Sequence, residues 1–143
     1  MIVVDASVAF KWLKSKDEPY HKQAVLILQD HISALNKIIV PHILFIEIAN
    51  SLVTKTSTSI KTVQDDIRYL YKINLEINYP ERSEIAFAAK LAKENKTSVY
   101  DMIYAAVAKK NKTILITADE KFIQKSKFSF VKSLREYVSG TKI

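Results

Sequence analysis

Short apolar runs rich in β-branched residues alternate along this chain with longer stretches whose apolar positions recur at helical spacing. IVVD at 2–5, KIIV at 37–40 and TILIT at 113–117 are apolar on both faces, as strands buried within a parallel sheet are. LEINY at 75–79 alternates and FSFV at 128–131 is a further candidate, so both are expected nearer a sheet edge. Helical spacing covers about 6–14, 18–33, 41–55, 59–73, 83–95, 99–111 and 119–126. This alternation predicts an α/β fold, a mainly parallel sheet covered by helices on both faces.

Sites in such sheets lie beyond the carboxyl ends of the strands. Asp5 ends the first apolar run, and Asp119 is separated from TILIT by Ala118 alone, so two acids are expected at one edge. A third stands in VPHILFIEIANSLV, residues 40–53. On a helical wheel Glu47 shares a narrow stripe with Asn50, Ser51 and Thr54, while Phe45, Ile46, Ile48, Ala49 and Leu52 fill the rest, so most of this helix reads as buried. Pro41 suits its first turn and puts Glu47 in the second, about 9 Å from the start. Glu47 is either a solvent-facing carboxylate or a functional one, since an isolated buried charge is very costly.

Local explanations exist for the other acids. Asp5 and Asp119 suit helix N-caps, with Glu120 favourable to the helix dipole, and Asp101, three residues after Ser98 in TSVYDMIYAAVAKK, resembles part of a capping box. Their shared location is harder to explain locally. Like charges about 4 Å apart repel by a few kcal/mol at an effective dielectric near 20, so carboxylates meeting in a cleft require something positive between them.

Composition narrows what that can be. With Cys 0, and with His21, His31 and His42 lacking zinc-type spacing, any metal must be held by oxygen, which favours Mg²⁺ or Mn²⁺. Carboxylates with one or two such ions serve phosphodiester hydrolysis by activating a water and stabilising the leaving oxygen. Lys+Arg 22 against Asp+Glu 15 gives a net charge of +7, which favours a polyanion; Lys/Ile-rich composition also follows from codon bias or a thermophilic source. Arginine occurs only at Arg68, Arg82 and Arg135, so the charge suits phosphate attraction better than base reading. At 143 residues and 48% hydrophobic, the expectation is a single domain over 1–143. No apolar run nears the ~20 residues of a membrane span and MIVVDAS lacks signal-peptide character, so the expected compartment is the cytoplasm.

The fragments VVDASV, VPHILFIEIANSL, SVYDMIYAAVAKK and LITADEKF, in that order, closely resemble the four acidic motifs of the PIN (PilT N-terminus) domain, especially those of VapC toxins. The resemblance covers residues 2 to about 123. It implies a five-stranded parallel sheet between helix layers and a metal-dependent endoribonuclease with Asp5, Glu47, Asp101 and Asp119 as its acidic quartet. It further implies a homodimer, and inhibition by a cognate antitoxin whose tail occupies the active-site groove.

Roles follow from the match together with the chemistry. Asp5, Asp101 and Asp119 are expected to hold the metal directly or through water, and Glu47 to hold a metal or the attacking water. Ser7 and Thr117 are candidates to orient a carboxylate or water, with a local cap bond as the alternative for each, and Asn50 can donate to Glu47. The family often carries a further acid shortly after its last aspartate; here Glu120 is adjacent to Asp119 and position 121 is Lys, which leaves one or two ions open. Lys11, Lys14, Lys121 and Lys125 are candidates for phosphate contact, whereas Lys109, Lys110 and Lys112 read as solvated charge at a helix end. Tyr100 and Tyr104 either stack on bases or pack in the core or an interface. Asp65, Asp66, Glu81 and Glu84 read as solvent-facing, and the apolar faces around Phe10, Trp12 and Leu13, or Tyr69, Leu70 and Tyr71, belong to the core or to a protein partner. Rival readings are a PIN domain that binds without cutting and, less favoured, a receiver-like signalling domain.

Overall fold

The computed structural model describes residues 1–14 and 17–140. Strands β1 (Ile2–Val4), β2 (Ile38–Pro41), β3 (Glu76–Asn78), β4 (Leu115–Thr117) and β5 (Val131–Ser133) pair in parallel in the order β3-β2-β1-β4-β5. The three apolar runs are the inner strands and the two weaker candidates are the edges, as their patterning implies. Helices flank this sheet in a three-layer α/β/α arrangement: α1 (Ala6–Leu13), α2 (His21–Ile32), α3 (Ile43–Lys55), α4 (Ile60–Lys72), α5 (Arg82–Asn95), α6 (Val99–Lys110) and α7 (Glu120–Ser126). From β1 the chain winds outward to β2 and β3, then returns across the sheet to β4 on the other side of β1. The switch point therefore lies between β1 and β4, where Asp5 and Asp119 leave their strands.

Burial concentrates at that junction. Val3, Val4, Leu115 and Ile116 pair across it, and α6 lies over the sheet with every side chain from Met102 to Ala108 buried. Alanines at 105, 106 and 108 let the α6 backbone approach closely, and Tyr104 fills the remaining volume.

Several boundaries differ from the sequence reading. Pro41 ends β2, paired with Asn78, and α3 begins at Ile43. Pro41 brings no N–H to the ladder, and the N–H of the next residue, His42, donates to the Asn78 carbonyl at 2.9 Å. The final strand is Val131–Ser133 instead of 128–131, because Phe128 and Phe130 stack on each other at 5.3 Å and Val131 N–H closes a turn onto the Phe128 carbonyl. Helix α2 starts at His21, after Tyr20 at φ 59°, a left-handed conformation that no helix continues through. Ile46, which the wheel placed on the buried arc, is 61% exposed, and Val53 two turns on is 63% exposed, so α3 has a solvent-facing apolar strip.

Acids read as solvent-facing also find partners. Asp66 pairs with Lys14 at 2.9 Å, tying α4 to α1. Glu84 is buried; it accepts from Glu81 N–H in a reciprocal capping box and from Lys110 at 3.0 Å, and the pairing holds its carboxyl below the usual range against the opposing effect of burial. Lys109 lies 5.0 Å over the Phe87 ring. After β5 and one 3-10 turn (Leu134–Glu136), the chain is held by buried Asp30, which accepts from Tyr137 Oη and Ser139 Oγ, each at 2.7 Å, and from Gly140 N–H at 3.3 Å.

Candidate active site

Asp5 leaves β1 extended and becomes the N-cap of α1. Its Oδ1 accepts from Ser7 N–H at 3.0 Å, Val8 N–H at 3.3 Å and Ser7 Oγ at 2.5 Å. The Ser7 hydroxyl in turn accepts from Ala118 N–H at 2.9 Å, so one side chain ties the aspartate of β1 to the loop after β4. Thr117, wholly buried, lies 3.5 Å from Ser7 Oγ and accepts from Asp119 N–H at 2.9 Å. Both small hydroxyls thus perform the local turn and cap bonds and also join the two acidic loops.

Asp119 caps α7, accepting from Phe122 N–H at 3.0 Å. Asp101 stands in the first turn of α6, where Ser98 Oγ accepts its backbone N–H at 3.0 Å and donates to its Oδ2 at 2.8 Å. The capping-box relationship is real, with the hydroxyl replacing the backbone N–H as donor to the acid. Glu47, in the second turn of α3, takes its hydrogen bond from Tyr104 Oη at 2.8 Å. No hydrogen bond joins Asn50 to Glu47 among the described residues; Asn50 lies along the cavity wall and its carbonyl accepts from Thr54. Tyr104, whose alternatives were base stacking or core packing, is a core residue that also holds the glutamate. Its hydroxyl is kept protonated by burial and by the adjacent Glu47 charge, so it remains a donor.

Glu47, Asp101 and Asp119 line one cavity of about 750 Å³, together with Ser7, Lys11, Glu18, Asn50, Lys55, Glu120 and Lys121. Asp5 lies beside it and feels the Asp101 charge. Burial pushes the Asp5 carboxyl up from 3.8 to about 6 against hydrogen bonds from Ser7, Thr117 and Val8 that pull it down, and Asp101 adds to the rise. Burial likewise raises Glu47 from 4.5 to about 7; Tyr104 opposes this, while Asp5 and Asp101 repel its charge. Asp5, Glu47 and Asp101, from three separate segments, are therefore electrostatically coupled at the switch point beside the cavity that Asp119 also lines, and each of the four also finishes or braces local structure. The two explanations coexist because a cap or brace uses one oxygen: among the described residues the bonds to Glu47, Asp101 and Asp119 engage Oε2, Oδ2 and Oδ1 alone.

The expectation that these oxygens converge tightly is corrected. Among the described residues, no group of three or more acidic or histidine side chains lies close enough to enclose an ion. The donor chemistry nevertheless fits a hard dication: all the donors are oxygens, burial and neighbouring carboxylates make two of the acids resist ionisation, and the cavity has room for a hydrated ion. Among the lysines, Lys11 and Lys121 reach the cavity, Lys14 is committed to Asp66, and Lys125 donates to the Lys96 carbonyl at 3.3 Å. Glu120 accepts from Ser133 Oγ at 2.6 Å, which fastens it to β5 at the cavity rim. Sequence reasoning passed over Lys55 and Glu18, both on the cavity wall; Glu18 stands at the start of the 18–33 helical stretch, whose spacing gives no hint of the cavity.

Known proteins share this architecture. The sequence model described as PIN domain matches residues 2–127. No curated protein matches the sequence. Among solved structures, the PAE2754 protein of Pyrobaculum aerophilum superposes with TM-score 0.68 at 16% identity, covering 94% of this chain and 90% of that one. VapC20 of Mycobacterium tuberculosis, a toxin that cleaves the sarcin-ricin loop, gives 0.64 at 14% identity over 87% and 94%. FitAcB of Neisseria gonorrhoeae gives 0.64 at 18% identity over 96% and 100%. At these identities the structures share the fold with this chain.

Proposed function

Since the chain belongs to the PIN domain family, we propose that it is a divalent-metal-dependent endoribonuclease, the toxin of a toxin-antitoxin pair. Family membership also removes the receiver-like alternative. The observation that carries the proposal is the electrostatic coupling of Asp5, Glu47 and Asp101 at the β1/β4 switch point, beside a cavity that Asp119 also lines. Asp5, Glu47, Asp101 and Asp119 would hold one or two Mg²⁺ or Mn²⁺ ions, which supply Lewis acidity toward the attacking water and the leaving oxygen. Glu47 orients that water and takes up its proton at Oε1, the oxygen that Tyr104 does not engage. Ser7, Thr117 and Tyr104 hold the acids in place, and water as nucleophile leaves a 5′-phosphate on the product. The lysines Lys11, Lys55 and Lys121 on the wall attract the RNA backbone.

VapC20, which shares this fold, is a toxin that cleaves an RNA loop, and that supports structured RNA as substrate. A protein partner is supported by exposed Ile46, Tyr79, Ile85 and Tyr100 around an apolar cavity of about 380 Å³, a surface suited to an antitoxin or a second copy in a homodimer. Among the described residues no helix is long and apolar enough to cross a membrane, consistent with action in the cytoplasm. The test is structured RNA incubated with purified protein and Mn²⁺: cleavage is expected, with loss of about a hundredfold or more in Asp101→Asn. Cleavage that survives this substitution overturns the proposal. One rival is a PIN domain that binds RNA without cutting. Mn²⁺ affinity without turnover on any RNA selects it.

Tyr104→Phe is expected to lower kcat/KM by about 10- to 100-fold, as loss of a group that orients a ligand typically does. The lost bond had favoured the ionised form of Glu47, so the acidic limb of the pH-rate profile moves to higher pH. A profile of unchanged shape and position rules out a role for Tyr104 through Glu47.

A further inference from the structure

Lys11 is a charged side chain that the fold has buried. It is 7% exposed and stands one turn after Ser7 on the same face of α1, on the wall of the acidic cavity. Among the described residues its ammonium pairs with Glu18 Oε2 at 3.0 Å. Glu18 precedes α2 and lines the same cavity, yet its side chain is 39% accessible against 9% for Lys11. A buried ammonium requires an anion, and here the anion is the partner that can swing into water at small desolvation cost.

Resting on the nuclease reading above, we propose that Lys11 is the cavity's fixed anchor for a substrate phosphate and that Glu18 is its built-in competitor, displaced when RNA enters. A carboxylate and a phosphate offer an ammonium the same thing, anionic oxygens at hydrogen-bonding distance. Lys11 cannot leave the cavity wall without unburying its stem, so exchange of its anion is the motion open to this pair. The arrangement makes Glu18 a specificity residue: it sets a threshold that a single stray anion does not pass, whereas an RNA chain held at several phosphates does. Lys14, which the sequence offers as an equivalent cation, is excluded from this role by its pairing with Asp66, where both side chains are about equally enclosed.

The experiment measures anisotropy of a labelled single-stranded RNA in EDTA, so that binding is read without cleavage, together with cleavage of the same RNA in Mn²⁺. Glu18→Gln is expected to tighten binding about threefold and lower KM with little change in kcat, the scale of a partly exposed ion pair. Lys11→Met is expected to weaken binding about tenfold and reduce the slope of log affinity against log salt by about one phosphate contact, with Lys11→Arg restoring both. In the Lys11→Met background, Glu18→Gln is expected to have no further effect on binding. Wild-type binding with no gain, or a loss, in Glu18→Gln overturns the inference and leaves the nuclease reading standing, because the pair is then a structural bridge. Should Lys11→Met fail to fold, the Glu18→Gln result decides alone. Wild-type protein that neither binds nor cuts RNA overturns both.

Discussion

Asp5→Asn is expected to lower RNA cleavage by about a hundred- to a thousandfold while making the metal-free protein more stable near neutral pH by roughly 1–2 kcal/mol. The two effects have one cause. Burial and the Asp101 charge penalise ionised Asp5, yet Asn keeps a side-chain oxygen able to accept from Ser7 and Val8 at the start of α1. The cap survives and the repulsion goes. Linkage gives the direction with pH. Asp5 and Glu47 titrate at about 6 and 7 in the folded chain against 3.8 and 4.5 ordinarily, so the folded chain binds more protons across that interval. The stability they contribute is complete below about pH 4 and is lost as pH rises through their folded values. Glu47 lines an open cavity and Asp5 lies beside it, and screening there is the reason the expected gain is smaller than the full rise implies. Thermal melts in EDTA at about pH 5 and pH 7.5 measure it: wild type is expected to melt lower at the higher pH, and Asp5→Asn to recover about 3–6 °C there. A variant less stable than wild type at both values means that Asp5 serves structure alone.

Mn²⁺ is expected to reverse the same penalty. At about pH 7.5 and a hundred times its dissociation constant, it should stabilise the protein by roughly 2.7 kcal/mol, and EDTA should abolish cleavage. At about pH 5 the gain should shrink sharply, since an ion must then displace protons from Asp5 and Glu47. Differential scanning fluorimetry across pH, with and without Mn²⁺, reads the effect. Stabilisation undiminished at the acidic pH places the ion elsewhere on the molecule.

The legibility of the site varied with how local its causes were. Asp5, Asp101 and Asp119 each announce themselves as helix-starting acids, and the structure finds each at a helix start with a cap or first-turn bond. Glu47 is conspicuous as a carboxylate in an apolar helix, and its own helix offers Asn50 as a donor. The donor is Tyr104, 57 residues away, and nothing in the spacing of either helix links the two. Lys11 and Lys14 looked alike in sequence, three residues apart and both basic; the tertiary structure sends one to the cavity and the other to Asp66. Glu84 and Asp66 read as solvated charge because a helical wheel describes one helix and not what packs on it.

Periodicity and turn chemistry determined the elements of this protein and their approximate bounds, because a buried strand must be apolar on both faces and a helix end must satisfy its own N–H groups. The alternation of those elements determined the sheet class, and the edge strands were visible in their weaker patterning. What only the tertiary structure decided was which side chains from distant segments share a cavity, how far apart their oxygens stand, and which cations are free to meet a substrate. Those outcomes depend on angles and depths of packing between helices. Separations of a few ångströms decide them, and residue spacing along a chain does not encode that distance.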